Sequence, residues 1–314
     1  VENSSFKNNL RCIYANHGNV YINNSTFYET NFGEKINLQF ANAITENSVF
    51  YYTHGDNDAI DYDGVDTGVI RNNILYGGDD DGLDIGQVNN IACQDVILSN
   101  NTISGFLDKG ISIGEGSQNI NILYNVITDS QMGIAVKDSS TSLIDHNTLY
   151  KNDVGISCYE KNPGEGGGVA FVSNTIISES IISSVSEDYV SDISIKYSFS
   201  DTDSLNEGNN IFGDPQFRGP SNNDFYLKHT SPCINSGDPD YIKDKDGTIT
   251  DIGAFYYEAL FEVIMYPNPA VKELNLRILD PLNHISKIRI YNINGVLIDE
   301  FNEYSKSIVN VCSE

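Results

Sequence analysis

An eightfold repeat runs through the first 176 residues and leaves few architectures open. The unit reads apolar, two or three polar residues, Asn or Ser, one residue, then a large apolar residue. It occurs as VENSSF (1–6), INNSTF (22–27), ITENSVF (44–50), IRNNIL (70–75), LSNNTI (98–103), ILYNVI (122–127), LIDHNTL (143–149) and FVSNTI (171–176). The closing residues Phe6, Phe27, Phe50, Leu75, Ile103, Ile127, Leu149 and Ile176 recur every 21–28 positions. Two positions before each stands Ser4, Ser25, Ser48, Asn73, Asn101, Asn125, Asn147 or Asn174.

A second element keeps phase with the first: AIDYDG (59–64), GLDIGQ (82–87), GISIGE (110–115), GIAVKD (133–138) and GISCYE (155–160). Its apolar residues alternate, which is the period of a strand with one face buried. Short strands at a drifting period, with no amphipathic helix between them, predict an all-β chain, a right-handed parallel β-helix. Coils stack about 4.8 Å apart, so Ile60, Leu83, Ile111, Ile134 and Ile156 should form one buried column. The recurring Asn suits a ladder at a turn, because a buried amide can both donate to and accept from its copies above and below.

The formal net charge of −26, from 44 acidic and 18 basic residues, excludes the basic face that nucleic acid requires. It equally disfavours an anionic membrane surface. No apolar run reaches the roughly 18 residues of a membrane span, so no membrane insertion is expected. The five cysteines, Cys12, Cys93, Cys158, Cys233 and Cys312, lie far apart without metal-binding spacing and read as buried or incidental thiols.

Residues 56–84 hold nine aspartates: Asp56, Asp58, Asp61, Asp63, Asp66, Asp79, Asp80, Asp81 and Asp84. Only Arg71 opposes them. Aligning the two strands stacks Asp56 near Asp79, Asp58 near Asp81 and Asp61 near Asp84. Bare carboxylates about 5 Å apart repel, so such stacks call for a cation or raised pKa values. Clustered hard oxygens suit Ca²⁺.

The run DDGLD (80–84), with DNDAID (56–61) on the preceding coil, resembles the calcium site of a calcium-dependent pectate-lyase family built on a β-helix. The resemblance implies Asp58, Asp80, Asp81 and Asp84 as ligands. It also implies a lysine base inside a G-x-K-x-G strand on the next coil. Here that strand is Gly110-Ile111-Ser112-Ile113-Gly114, with Ser112 at the base position and Lys109 in the column of Asp58 and Asp81. Lys109, as base or ion-pair partner, and Lys137, on the exposed face two coils beyond Asp84, are the candidate catalytic residues. Glu115, in an outward column with Asp138 and Glu160, and the outward Tyr159 are the candidate glycan contacts. GDDDGLDIG and KGISIGEGS also resemble segments of polygalacturonan hydrolases, without their histidine; Asp108-Lys109-Gly110 stands in its place.

Beyond the repeats, residues 177–205 read as one or two irregular coils. Residues 209–258, with SPCINSG and DIGAFYYE, resemble the terminal coils of secreted proteins of the pectate-lyase-like superfamily and are expected to cap the rod. KNPGEGGGVAF (161–171) reads as a loop at the groove edge. DPDYIKDKDGTITD (238–251) lacks the spacing of an EF-hand loop. Residues 262–314 alternate around an Asn294-Gly295 hairpin signal. With YPNP (266–269) they resemble the C-terminal sorting domain of type IX (Por) secretion, a small β-sandwich-like domain. The last strand and basic tail of that domain are not found before Glu314, so the chain is read as truncated there, and at Val1 inside a repeat.

The expectation is therefore a β-helix over 1–258 and a sorting domain over 262–314, secreted or held on the outer cell surface as a monomer. Its partners would be an acidic polysaccharide and the type IX secretion machinery. Its leading function is that of a calcium-binding, polysaccharide-directed protein, with lysis of acidic, uronate-containing glycans as the candidate activity and turnover itself left open by the sequence. The alternative is a non-catalytic surface or adhesion rod with structural calcium.

Overall fold

The computed structural model describes residues 1–29, 33–202, 205, 207–258, 262–266, 273–279, 285–291, 294, 296–304 and 308–312. Two compact units emerge, Val1–Tyr256 and Tyr257–Glu314.

The first unit is a solenoid of parallel strands in three faces. The first face stacks the start of Ile36–Glu46 on Ile60–Asp63, Leu83–Val88, Lys109–Ile113, Met132–Lys137, Val154–Tyr159 and Ser183–Glu187. The second stacks the end of Ile36–Glu46 on Thr67–Arg71, Val96–Ser99, Ile120–Leu123, Thr141–Asp145, Val169–Ser173 and Asp192–Lys196. The third carries the closing residues of the repeat, from Ser5–Phe6 to Ile211–Phe212. Alternation decides what faces inward. Ile60, Leu83, Ile111, Ile134 and Ile156 are in register and fully buried, as the sequence predicts. Beside them Tyr62, Ile85, Ile113, Val136 and Cys158 form a second buried column. Phe6, Phe27 and Phe50 stack ring on ring at 4.8 and 4.6 Å.

The polar ladder follows the same register. The Asn101 side chain accepts from the Asn73 backbone N–H at 3.0 Å and from its Nδ2 at 3.1 Å. Asn125 receives the same pair from Asn101 at 2.9 and 3.0 Å, and Asn147 from Asn125 at 2.9 and 3.1 Å. Serines extend the ladder backwards, through Ser48 to Ser25 and Ser4. The last repeat departs from the expected phase by one residue. Leu149 pairs with Ile177 rather than Ile176, so Thr175 and not Asn174 receives the Asn147 N–H. Asn174 is displaced to a left-handed turn position, φ 47°. There its Nδ2 donates to Asp145 at 2.8 Å and its Oδ1 accepts from the Asp238 N–H at 2.7 Å.

That displacement bears on residues 209–258. Ile211–Phe212 adds a strand to the third face, but the segment after it does not act only as an end cap. It packs along the flank of earlier coils. Gly253 N–H donates to Asn174 O, Ala254 N–H to Thr148 Oγ1, and Phe217 and Phe225 meet the Tyr150 ring edge-on. His146 is part of this seam. It is buried, shares a hydrogen bond with Asp145 at 2.9 Å and another with Thr250 at 2.8 Å, and lies between Tyr124 and Tyr241. Of residues 177–205, the described ones form one coil, with strands Ser183–Glu187, Asp192–Lys196 and Phe199–Ser200.

In the second unit Glu273–Leu279 pairs antiparallel with Glu262–Tyr266 and Ile308–Cys312. Ile285–Tyr291 pairs with Leu297–Tyr304 on either side of Asn294. Gly295 and residues 267–269 of the YPNP tetrapeptide lie outside the described residues.

Candidate metal centre

The acidic coils meet on the outer side of the first face. A strand's outward residues repeat at the coil spacing, so each outward position becomes a column along the rod. One column runs Asn37, Asp61, Asp84, Ser112, Ala135 and Ser157. To one side Asp63 pairs with Gly86, and Lys137 with Tyr159. To the other lie Asp58, Asp81 and Lys109, joined by hydrogen bonds. The Asp81 N–H donates to Asp58 Oδ1 at 3.1 Å and the Lys109 N–H to Asp81 Oδ1 at 2.9 Å.

Two carboxylate groups result, and Asp58 belongs to both. Asp58, Asp80 and Asp81 each bring an oxygen within 4.8 Å of the others, and so do Asp58, Asp61 and Asp84. Oxygens around one Ca²⁺, each about 2.3–2.6 Å from it, lie at most about 5 Å apart, so both groups have the size of a cation seat. Three of the expected ligands, Asp58, Asp80 and Asp81, thus come together; Asp84 joins Asp58 in the second group. Asp61, which the motif did not single out, stands with them. Its signal was present in the sequence, since it occupies the same strand position as Asp84. Asp79 accepts from Tyr52 Oη at 2.5 Å and from the Gly55 N–H at 2.7 Å.

The electrostatics report the crowding. Burial first, then the charges of Asp84, Asp81, Asp61 and Asp80, push the Asp58 carboxyl well above the usual range. Burial and Asp63 do the same to Asp61, against the hydrogen bond from Asn37. Burial with Asp81 lifts Asp80 to about 6, and burial with Asp84 lifts Asp63 to about 6. Asp81 is raised by burial and Asp84, with Lys109 and Lys137 opposing. A cation would relieve every one of these terms, and an all-oxygen donor set fits a hard ion.

The lysines differ from each other. Lys109 is 3 % exposed, with Nζ 3.2 Å from Asp81 Oδ1 and bonded also to Asp108. Burial pulls its pKa down, but Asp81 and Asp108 outweigh that and hold it well above its ordinary value. It is an ion-pair partner, which removes it as a base at neutral pH. Lys137 was expected on the exposed face, yet it is only 4 % exposed. Its side chain lies across the preceding coil, where a Cβ on Gly114 would stand 3.0 Å from Lys137 Cε. Glycine at 114 therefore makes room for it. Among the described residues Lys137 Nζ makes no salt bridge.

Tyr159 is half-buried, and burial pushes its hydroxyl up to about 12 against the opposing charge of Lys109. The Glu115 column has a local occupation. Glu115 accepts from the Gln87 N–H at 3.0 Å. Asp138 is buried and accepts from the Lys161 and Asn162 N–H groups at 2.7 and 2.9 Å. Glu160 Oε1 accepts from the Gly164 and Gly166 N–H groups, both at 2.9 Å. Asp138 and Glu160 thus pin the glycine-rich loop beside the groove.

Comparison with known proteins bears on the fold. Residues 1–149 and again 86–176 match the family model described as the right handed beta helix region. Residues 264–311 match the secretion system C-terminal sorting domain. No curated protein matches. Among solved structures, pectate lyase Pel9A is 17 % identical with a TM-score of 0.49, covering 78 % of this chain and 71 % of that one. The A-module of the mannuronan C-5 epimerase AlgE4 of Azotobacter vinelandii is 17 % identical with a TM-score of 0.38, covering 64 % of this chain and 58 % of that one.

Proposed function

The chain belongs to the right-handed β-helix family and carries a sorting domain that routes it to the outside of the cell, and on that premise we propose that it is a calcium-binding protein acting as a lyase on uronate-containing glycans. One observation carries the reading: the carboxylates that converge on Asp58 lie close enough to seat a cation, and their crowding holds the Asp58 carboxyl well above its usual range, which a bound ion would relieve. Asp58, Asp80 and Asp81 would hold the ion, with Asp84 beside them.

Bound there, calcium would neutralise a substrate carboxylate and make the adjacent C–H more acidic. The chain's own residues would supply the rest. β-Elimination needs a base that takes the proton on the carbon next to the carboxylate while the bond to the leaving glycosidic oxygen breaks. A double bond forms between the two carbons, and the leaving oxygen is protonated. Lys109 is committed to Asp81 and Asp108, so Lys137 is the better base: among the described residues it has no ion-pair partner, and its charge acts on Asp81. Tyr159, half-buried and in register with Lys137, would border the bound sugar.

The test is incubation with pectate, alginate and glycosaminoglycans, with and without calcium, following the ultraviolet absorbance of the unsaturated product. Calcium-dependent product that disappears in Lys137→Ala, with calcium binding retained, is the expected result. The pinning of Lys109, with Ser112 at the expected base position, favours a second reading, a calcium-stiffened surface rod without turnover. Calcium binding with no product from any acidic glycan would select it.

A further inference from the structure

The two carboxylate groups raise a question that one calcium ion does not answer. A single ion held by Asp58, Asp80 and Asp81 leaves Asp61 and Asp84 one column away. One divalent ion does not match the charge of the five carboxylates, and the nearby Lys109 is shared with Asp108 outside them. Independent of that charge count, the column through Asp61 and Asp84 holds buried oxygens with nothing to bond to. Among the described residues, Asp61 Oδ1, Asn37 Oδ1 and Ser112 Oγ each lack a hydrogen-bond partner. Their residues are 7 %, 4 % and 0 % exposed. They occupy three of four consecutive coils, with Asp84 at the remaining one.

Leaving one buried polar atom unsatisfied costs roughly 1–3 kcal/mol, and native proteins show few such atoms. Three orphans in one column, flanking a pair of facing carboxylates, mark a place built around something that accepts oxygen lone pairs. The Asn37 amide already donates to Asp61 Oδ2. A proton on Asp61 could satisfy one orphan but would leave the two neutral oxygens untouched.

We propose that the centre seats two divalent cations rather than one, a second calcium-class ion lying between Asp58, Asp61 and Asp84, with Asp58 bridging the pair. This rests on the calcium reading above and extends it. Asp58 has two carboxylate oxygens to share, and bridged metal pairs lie about 3.5–4 Å apart, within the reach of one carboxylate. The second ion would add two positive charges where Asp61 stands in register with Asp84. The arrangement gives Asp61 and Asp84 a role that does not depend on turnover.

Calcium stoichiometry of the full chain, by titration calorimetry and by elemental analysis after desalting, tests this. Two ions per chain are expected in the wild type, one in Asp61→Asn, one in Asp80→Asn and none in Asp58→Asn. Asn at 61 is close to isosteric with Asp, and retained folding is checked by circular dichroism. The wild-type number decides the matter even where a variant fails to fold. One ion in the wild type overturns the second seat and leaves the calcium reading standing. Two ions that both persist in Asp61→Asn also overturn it, since the second would lie elsewhere. No ion at all overturns the calcium reading itself.

Discussion

Two regions of the rod stack identical polar side chains coil upon coil, one of amides and one of carboxylates. At the turn, Asn73, Asn101, Asn125 and Asn147 are buried in a continuous ladder. On the first face, Asp61 lies in register with Asp84, and Asp81 beside Asp58. The geometry is the same, set by the coil spacing. The chemistry is opposite. An amide carries a donor and an acceptor, so each copy satisfies the next. An ionised carboxylate only accepts, so each copy repels the next and leaves oxygens unbonded. The ladder is therefore complete in itself, while the acidic stack is crowded enough to raise its carboxyl pKa values, a strain that protons or a cation would relieve. In a solenoid, stacking like upon like is a stabilising device only for residues that can pair with themselves.

The strongest challenge to that contrast is to exchange the two chemistries. Asn125→Asp places an acceptor-only charge in the middle of the amide ladder. Removing one partner from a buried charged or hydrogen-bonded set costs about 3–5 kcal/mol, and a loss of this size is expected in urea unfolding. A variant as stable as wild type would mean that the ladder contributes little.

Next is the ion. Calcium that binds only the folded rod adds roughly 2.7 kcal/mol at a hundredfold excess over Kd, so EDTA should lower the melting temperature of the wild type. Asp81→Ala should remove most of that response. An EDTA-insensitive melt in the wild type would leave the acidic face without its partner and break the comparison.

The same stack predicts a pH dependence of unusual sign. In EDTA the carboxyls of Asp58, Asp61 and Asp81 titrate above the usual range, and those of Asp63 and Asp80 at about 6. A raised carboxyl pKa means that the folded rod holds more protons than the unfolded chain between about pH 4 and pH 6. This contribution to stability is therefore present below about pH 4 and is lost as the pH rises through 6. Melting temperatures in EDTA should fall across that window, and saturating calcium should flatten the slope. A rise with pH in EDTA would show that the acidic face is not protonated when bare.

The smallest effect sharpens the comparison further. Asp61→Asn turns part of the acidic stack into a short amide ladder with Asn37. Without calcium this should stabilise the rod by about 1 kcal/mol, the net value of a satisfied hydrogen bond. With calcium the gain should vanish or reverse.

Much of this architecture was legible in the chain alone, for a physical reason. A solenoid is stabilised by contacts between neighbouring coils, so its rules recur at every turn and appear as a repeat. The Ile60–Ile156 column, the Asn ladder and the pairing of Asp61 with Asp84 all follow from strand alternation and a common phase. Even so, periodicity failed at FVSNTI. There Ile176 and Ile177 are both apolar, and only the pairing of Leu149 with Ile177 decides which closes the coil. With it went Asn174, which left the ladder to hold the segment that folds back along the flank. No local pattern specifies that contact, since its partners stand 64 residues apart. The lysines are a second case. Sequence assigns Lys109 and Lys137 to their columns, but a long side chain can lie along the rod as well as away from it. Asp81 and Asp108 hold one, and the space above Gly114 admits the other. The carboxylate cluster belongs to both levels: the repeat stacks the aspartates, whereas the burial that makes their charge costly, and leaves Asp61, Asn37 and Ser112 with unbonded oxygens, exists only once the coils are wound.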